Sequence, residues 1–200
     1  TSGYAIVSEN GIDYPELEKP QPVTTGNGGG GVPVVLGHSN GSVSEIVDHM
    51  VKTISQVGSS VRAIDYFGGW VAGMDSGGVS SSEDFGSWSV NLGGMIDVLS
   101  FGPSVVAEKG VWVPSWRDGE SVIFLINPKG GSVELEISHH SRIVSVFAGE
   151  EVICFGDDAG CVFVLEGDVL RRRFSMPLEE MTQGDRSSEL RRKIRGLRGG

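Results

Sequence analysis

The sequence predicts an all-β chain of about four repeated antiparallel sheets, and three observations carry that fold class. Short runs of β-branched and aromatic residues alternate with clusters of Gly, Asp and Asn, the pattern of strands joined by tight hairpins. Hairpin-like segments whose turns end in Gly41, Gly77, Gly119 and Gly160 recur at intervals of 36, 42 and 41 residues. Further apolar runs flank these hairpins on both sides, which brings the repeat to four strands.

The stretch 142–165, RIVSVFAGEEVICFGDDAGCVFVL, is the clearest repeat. It reads as strands over 143–147, 152–155 and 161–165, broken at 148–151 and at the Gly-Asp-Asp-Ala-Gly turn. Its hairpin at 151–165 has counterparts at 32–46, 69–83 and 110–126. Inner strands precede three of the hairpins, at 61–67, 95–101 and 142–147, and outer strands follow three of them, at 51–57, 88–92 and 132–137. Four strands repeated near every forty residues are the signature of propeller blades.

Two motifs give this pattern a family resemblance. In SHHSRIVSVF, His139 stands four residues before Ile143 of an inner strand, and in GDDAGCVFVLEGD an acidic turn leads into a strand ending Leu165-Glu166. Asp118-Gly119 and Asn40-Gly41 hold the same turn in other repeats. These residues resemble the WD40 family of β-propellers, with His139 in the place of the histidine of its Gly-His pair and Leu165-Glu166 in place of Trp-Asp. The sequence departs from the family pattern at Ser138, which replaces the glycine, at Ser76 before the second turn glycine, and in having no Trp-Asp dipeptide. The resemblance implies blades over 32–176, blade-turn structural roles for His139, Asp118 and Asp158, and a non-catalytic scaffold that presents loops to a protein partner. Four blades either close as a small propeller or belong to a larger one completed by a second propeller-forming chain. The apolar run at 4–7 is a candidate closing strand.

Charge divides the chain differently. Of the net −10, residues 171–200 contribute +5 and residues 1–170 contribute −15. An acidic body disfavours nucleic acid as its own ligand, since phosphate contacts need clustered cations. The basic end is a separate module: Arg171, Arg172, Arg173, Arg191, Arg192, Lys193, Arg195 and Arg198 are candidates for a weak contact with RNA or another acidic surface. Asp185 as N-cap and Leu190, Ile194 and Leu197 at helical spacing predict a short basic C-terminal helix. Residues 1–31 read as an N-terminal strand followed by a Gly/Pro-rich linker, residues 32–176 as the blades and 177–200 as the basic helical tail. The glycines at 28–31 are not followed by the Gly-Lys-Ser/Thr of a phosphate cradle.

No run of about 18 apolar residues is present, so no membrane-spanning helix is expected, and the N-terminal residues lack the pattern of a signal peptide. A chain that begins at Thr1 has lost its Met or was excised from a longer one. Cys154 and Cys161 fall in one hairpin, where buried free thiols are expected ahead of a cross-strand disulfide. These features predict an intracellular protein of cytoplasm or nucleus, without cofactor.

A second function class competes with the scaffold. Gly37-His38-Ser39-Asn40-Gly41 matches the G-x-S-x-G elbow of α/β-hydrolases, and the apolar residues from Val43 to Ile54 keep helical spacing. Ser39 is then the nucleophile, His139 or His140 its base and Asp118 the orienting acid. Only 38 residues precede Ser39, too few for the strands and oxyanion loop that come first in that fold. A third reading takes the terminal Leu197-Arg198-Gly199-Gly200 as a protease processing site in a viral or other polyprotein. Arg172-Arg173-Phe174-Ser175 matches a basophilic kinase site. His139-His140 lacks a third metal ligand at a recognisable spacing, and the acidic pairs Asp157-Asp158 and Glu83-Asp84 fit turns without invoking catalysis. Trp70, Trp112 and Trp116 are expected mostly between blades.

Overall fold

Period-two alternation and glycine-ended turns produce seventeen strands among the residues described by the computed structural model, namely 6–8, 11–13, 22–29, 32–47, 50–105 and 107–174. Strands β1 (Ile6–Ser8) and β2 (Gly11–Asp13) form a separate hairpin. The first blade holds β3 (Val23–Gly29), β4 (Val32–His38), β5 (Ser42–Val47) and β6 (Met50–Gln56), and the second β7 (Val61–Tyr66), β8 (Trp70–Met74), β9 (Gly78–Ser81) and β10 (Ser89–Asn91). The third holds β11 (Ser100–Gly102), β12 (Gly110–Arg117), β13 (Glu120–Ile126) and β14 (Val133–His139). The fourth has three strands, β15 (Ile143–Ala148), β16 (Val152–Asp157) and β17 (Val162–Glu166), followed by the helix α1 (Gly167–Phe174). Within each blade the strands pair in chain order, all antiparallel.

The four corners that set the repeat share one backbone geometry. Gly41, Gly77, Gly119 and Gly160 have φ of 82°, 83°, 82° and 83°, a left-handed conformation open to Gly without steric cost. Three of them donate their N–H to the carbonyl three residues back, on His38, Met74 and Asp157. Asp118, at φ 52°, shares the left-handed region with Gly119 in a two-residue hairpin, as tight primed turns require.

Each hydrophobic core layer lies between two successive blades. Val35 and Val43 of the first blade pack with Val61, Ile64, Trp70 and Ala72 of the second. Gly37 lets the two backbones approach, because a Cβ there would lie 2.3 Å from a Val61 methyl. Val71 and Val79 of the second blade meet Val111, Val113, Val122 and Phe124 of the third. The other side of the third blade, through Trp112, Ile123, Leu125 and Leu135, packs on Ile143, Ile153 and Phe155 of the fourth and on Leu170 of α1. Strands β12 and β13 are therefore buried on both faces and read as nearly unbroken apolar runs. Trp70 and Trp112 lie in these layers, and Trp116 is half-buried.

Several expectations are corrected here. Residues 43–47 and 50–54 are not helical but lie in strands β5 and β6, with Ile46 opposite Val51 and Val47 opposite Met50. Two successive short strands reproduce helical spacing by chance. The Gly/Pro-rich segment contains β3, the inner strand of the first blade. Its glycines permit close pairing: a Cβ on Gly26 would lie 2.9 Å from Leu36, and one on Gly28, at φ 134°, 2.4 Å from the Pro33 carbonyl oxygen. The strand expected at 95–101 shrinks to β11, because Gly93 and Gly94, both at φ 71°, turn the chain and leave Met95 bridged to Trp116. Both thiols are free, but Cys161 is exposed and Cys154 half-buried, since the 157–161 turn projects from the sheet. The run at 4–7 contributes to β1, which pairs with β2. Helix α1 is unexpected, and the basic helix expected from Asp185 lies outside the described residues.

Candidate interaction surface

The turn from β16 to β17 holds a buried carboxylate, that of Asp157. Asp157 Oδ2 accepts a hydrogen bond from His139 Nε2 at 2.8 Å, and its Oδ1 accepts the Cys161 N–H at 2.7 Å. An ionised carboxylate only accepts, so Nε2 carries the proton. The His139 bond, reinforced by backbone N–H groups of Cys161 and Ala159, holds the Asp157 carboxyl below the ordinary aspartate range. The His139 ring lies 4.8 Å from that of His140 and 5.1 Å from that of Phe163. The structure thus places His139 at the end of β14, bonded to the neighbouring blade's turn through Asp157. Asp158 accepts the Arg142 N–H at 3.1 Å, and Asp118 sits in its exposed two-residue turn.

Two further carboxylates tie blades together. Asp65 Oδ2 accepts bonds from the Ser100 hydroxyl and the Phe101 N–H at 3.0 and 2.8 Å. Asp97 is held by Arg142 at 2.5 Å and by Arg62 at 3.4 Å. Sequence reasoning missed both, although a signal existed: each is a lone acid following Ile in an otherwise apolar run, Ile64-Asp65 and Ile96-Asp97.

Ser39 lies exposed in the β4–β5 hairpin, not between a strand and a helix. His38 is buried with Nε2 3.0 Å from Ser44 Oγ, and His139 is engaged by Asp157. No bond among the described residues joins Ser39 to either His139 or Asp118. The hydrolase geometry is absent, and the elbow match reduces to Gly, Ser and Asn in a turn. Of the basic residues, Arg171 pairs with Glu151 at 2.7 Å and Arg172 with Asp168 at 2.5 Å, while Arg173 is exposed on the same helix. Arg191, Arg192, Lys193, Arg195, Arg198, Ser175 and the Leu-Arg-Gly-Gly end lie outside the described residues. No group of three or more His, Cys, Asp or Glu that could hold a metal occurs among the described residues, and no described helix is long and apolar enough to cross a membrane.

The fourth blade differs from the third in its cover as well as its strand number. Its inward face, with Ile153 and Phe155, is covered by the third blade. Across the strands of its other face run Phe147, Cys154 and Val164, register partners, with Val162 beside them. Phe147, Val162 and Val164 are 68%, 71% and 51% exposed. That face also carries Ser145, Gly156 and Glu166, and no core layer among the described residues covers it or joins the blade to the first.

This arrangement of radially repeated sheets recurs in solved structures. The WD40 domain of Neurospora crassa Pan2 superposes with a TM-score of 0.56 at 15% identity, over 82% of this chain and 50% of that one. The chain has a WD40-like β-propeller fold. A BBS1N structure in complex with ARL6DN matches with a TM-score of 0.56 at 14% identity, over 81% of this chain and 59% of that one. A computationally designed protein, Ika4, gives 0.57 at 16% identity, over 76% of this chain and 95% of that one. The chain thus spans only about half to three-fifths of the Pan2 and BBS1N chains it resembles. No family model and no curated protein sequence matches it.

Proposed function

We propose that this WD40-like chain is a non-catalytic scaffold that binds a protein partner through the open end of its blade arc. The observation that carries the reading is the fourth blade, whose outer face exposes Phe147, Val162 and Val164. A contiguous exposed apolar face on a rigid sheet marks a binding surface, and a propeller separates stability, held between blades, from recognition, held on faces and turns. The BBS1N structure, a complex with ARL6DN, supports a protein as the class of ligand. A basic tail following an acidic body adds an electrostatic contact that is screened by salt.

Affinity capture of the chain from its native extract, reconstitution with the recovered protein and cross-link mapping test the reading. A stoichiometric complex with cross-links on the fourth blade is expected, and removal of residues 177–200 is expected to weaken it at low salt more than at high salt. Turnover of a small ester that is lost in Ser39→Ala would overturn the non-catalytic assignment. Failure to form any stable complex would overturn the scaffold.

A further inference from the structure

Among the described residues three blades have four strands, and the fourth has three. Among the described residues nothing pairs with the outer edge of β17. The hydrogen bonds from Asp157 N–H to Cys161 O and from Gly167 N–H to Glu151 O fix the ladder's alternation: residues 161, 163, 165 and 167 turn their polar groups toward β16. The N–H and C=O groups of Val162, Val164 and Glu166 consequently lie along the open edge. Native edges are blunted by Lys, Pro, bulges or a covering element. The β17 sequence VFVLE contains neither Lys nor Pro, and its pairing with β16 runs without a bulge.

The chain's own course leads away from this edge. In the other blades the third strand is followed by the fourth, but here β17 passes directly into α1. That helix is tied to the start of β16 by the Gly167–Glu151 bond, the last of the ladder, and by the Arg171–Glu151 pair, and Leu170 is buried in the core layer shared with the third blade. Charge narrows the occupant further. Between 143 and 166 there is no Lys or Arg, while Glu166 sits at one end of the β16–β17 ladder and Asp158 at the other. Two copies meeting edge to edge would bring these carboxylates together. A strand with cationic ends would complement them.

We infer that β17 is the docking edge for an extended segment of a partner protein, which adds a fourth strand to the blade. The segment places apolar residues at alternate positions, continuing the Phe147–Cys154–Val164 face, and carries Lys or Arg at its ends. This inference rests on the scaffold reading and specifies where and how the partner engages. Backbone pairing supplies the attraction, and the alternating side chains and terminal charges supply the selection.

A display library of nine-residue peptides, alternating apolar and polar residues and flanked by either Lys/Arg or Asp/Glu, tests it on the full 200-residue chain. The basic-flanked class is expected to be enriched and to bind at least tenfold tighter than the same cores with acidic flanks. On binding, the amides of Val162, Val164 and Glu166 should become protected from hydrogen exchange. Val164→Pro, which removes an edge N–H that the β16 ladder does not use, should abolish binding. The double variant Val162→Lys, Val164→Lys keeps the backbone donors and should weaken basic-flanked peptides more than tenfold, so a folding failure of the proline variant does not decide the matter. The inference falls if no peptide is enriched, if acidic flanks are preferred, or if binding survives both variants. Protection of the three amides in the free chain at all concentrations would assign the edge to the chain's own segments, and protection that grows with concentration to a second copy; either overturns a partner strand. If the captured partner still binds both variants with unchanged affinity, the scaffold reading stands and this edge assignment fails.

Discussion

Asp157 stays ionised with a buried side chain because every available donor points at it: the His139 ring on one oxygen and the Cys161 N–H on the other. Its depressed folded pKa fixes the sign of its contribution. The stabilisation is complete above the ordinary unfolded aspartate value of 3.8 and is lost as pH falls through the lower folded value. Thermal melts of the chain and of Asp157→Asn should therefore differ most at neutral pH and converge under acid. A gap that stays constant with pH would show that the carboxylate charge is not what stabilises the turn. Glu134 acts in the opposite direction. Burial raises its pKa against the hydrogen bonds of Ser104 and Asn127, so its contribution is greatest below the ordinary glutamate value and fades as pH rises through the raised one. At this scale the sequence pointed to His139 and Asp158 as turn residues without naming their partners: Asp158 accepts the Arg142 N–H, while Asp157 receives the histidine. A doublet of acids in a tight turn carries no signal of which carboxylate points inward.

The corners show how a single conformation serves two purposes. Gly160 has φ 83° with nothing within 4 Å of a hypothetical Cβ, so Gly160→Ala should cost only the left-handed backbone term, about 1–2 kcal/mol. At Gly77 the same φ comes with a Cβ 2.6 Å from the backbone of Gly93 and Gly94, so Gly77→Ala should cost clearly more; urea denaturation of the two variants measures the difference. These corners were legible because a left-handed turn demands a particular residue. The strand β3 was not, because its glycines, which read as a linker, are there to bring two strands close. Residues 95–99 misled in the converse way: Ile96 and Leu99 are buried, but burial in an irregular segment leaves the same apolar mark as a strand. Between blades, Trp112 fills the layer beneath Phe155, 5.7 Å away edge to face, and donates Nε1–H to Pro103 O at 2.9 Å. Trp112→Ala should destabilise the chain by about 3–5 kcal/mol in the same measurement.

Stability in the whole arc is shared across boundaries rather than owned by any blade. The third blade is covered on both sides, so amide exchange should be slowest in β12 and β13 and fastest toward β17, where one side is open. Equal protection of β13 and β17 would contradict a terminal blade with an uncovered face. The period near forty residues disclosed the number of blades, but not that no core layer among the described residues joins the fourth blade to the first, since exposure depends on what stands next to a sheet. One contact made early in the chain has a consequence for biosynthesis. The Thr24 hydroxyl bonds the Val61 carbonyl, and Val61 rests over Gly37. During translation the first blade must therefore wait, with its apolar side bare, until some two dozen residues beyond Gly37 have left the ribosome, and that interval is when a nascent chain of this kind most needs a chaperone.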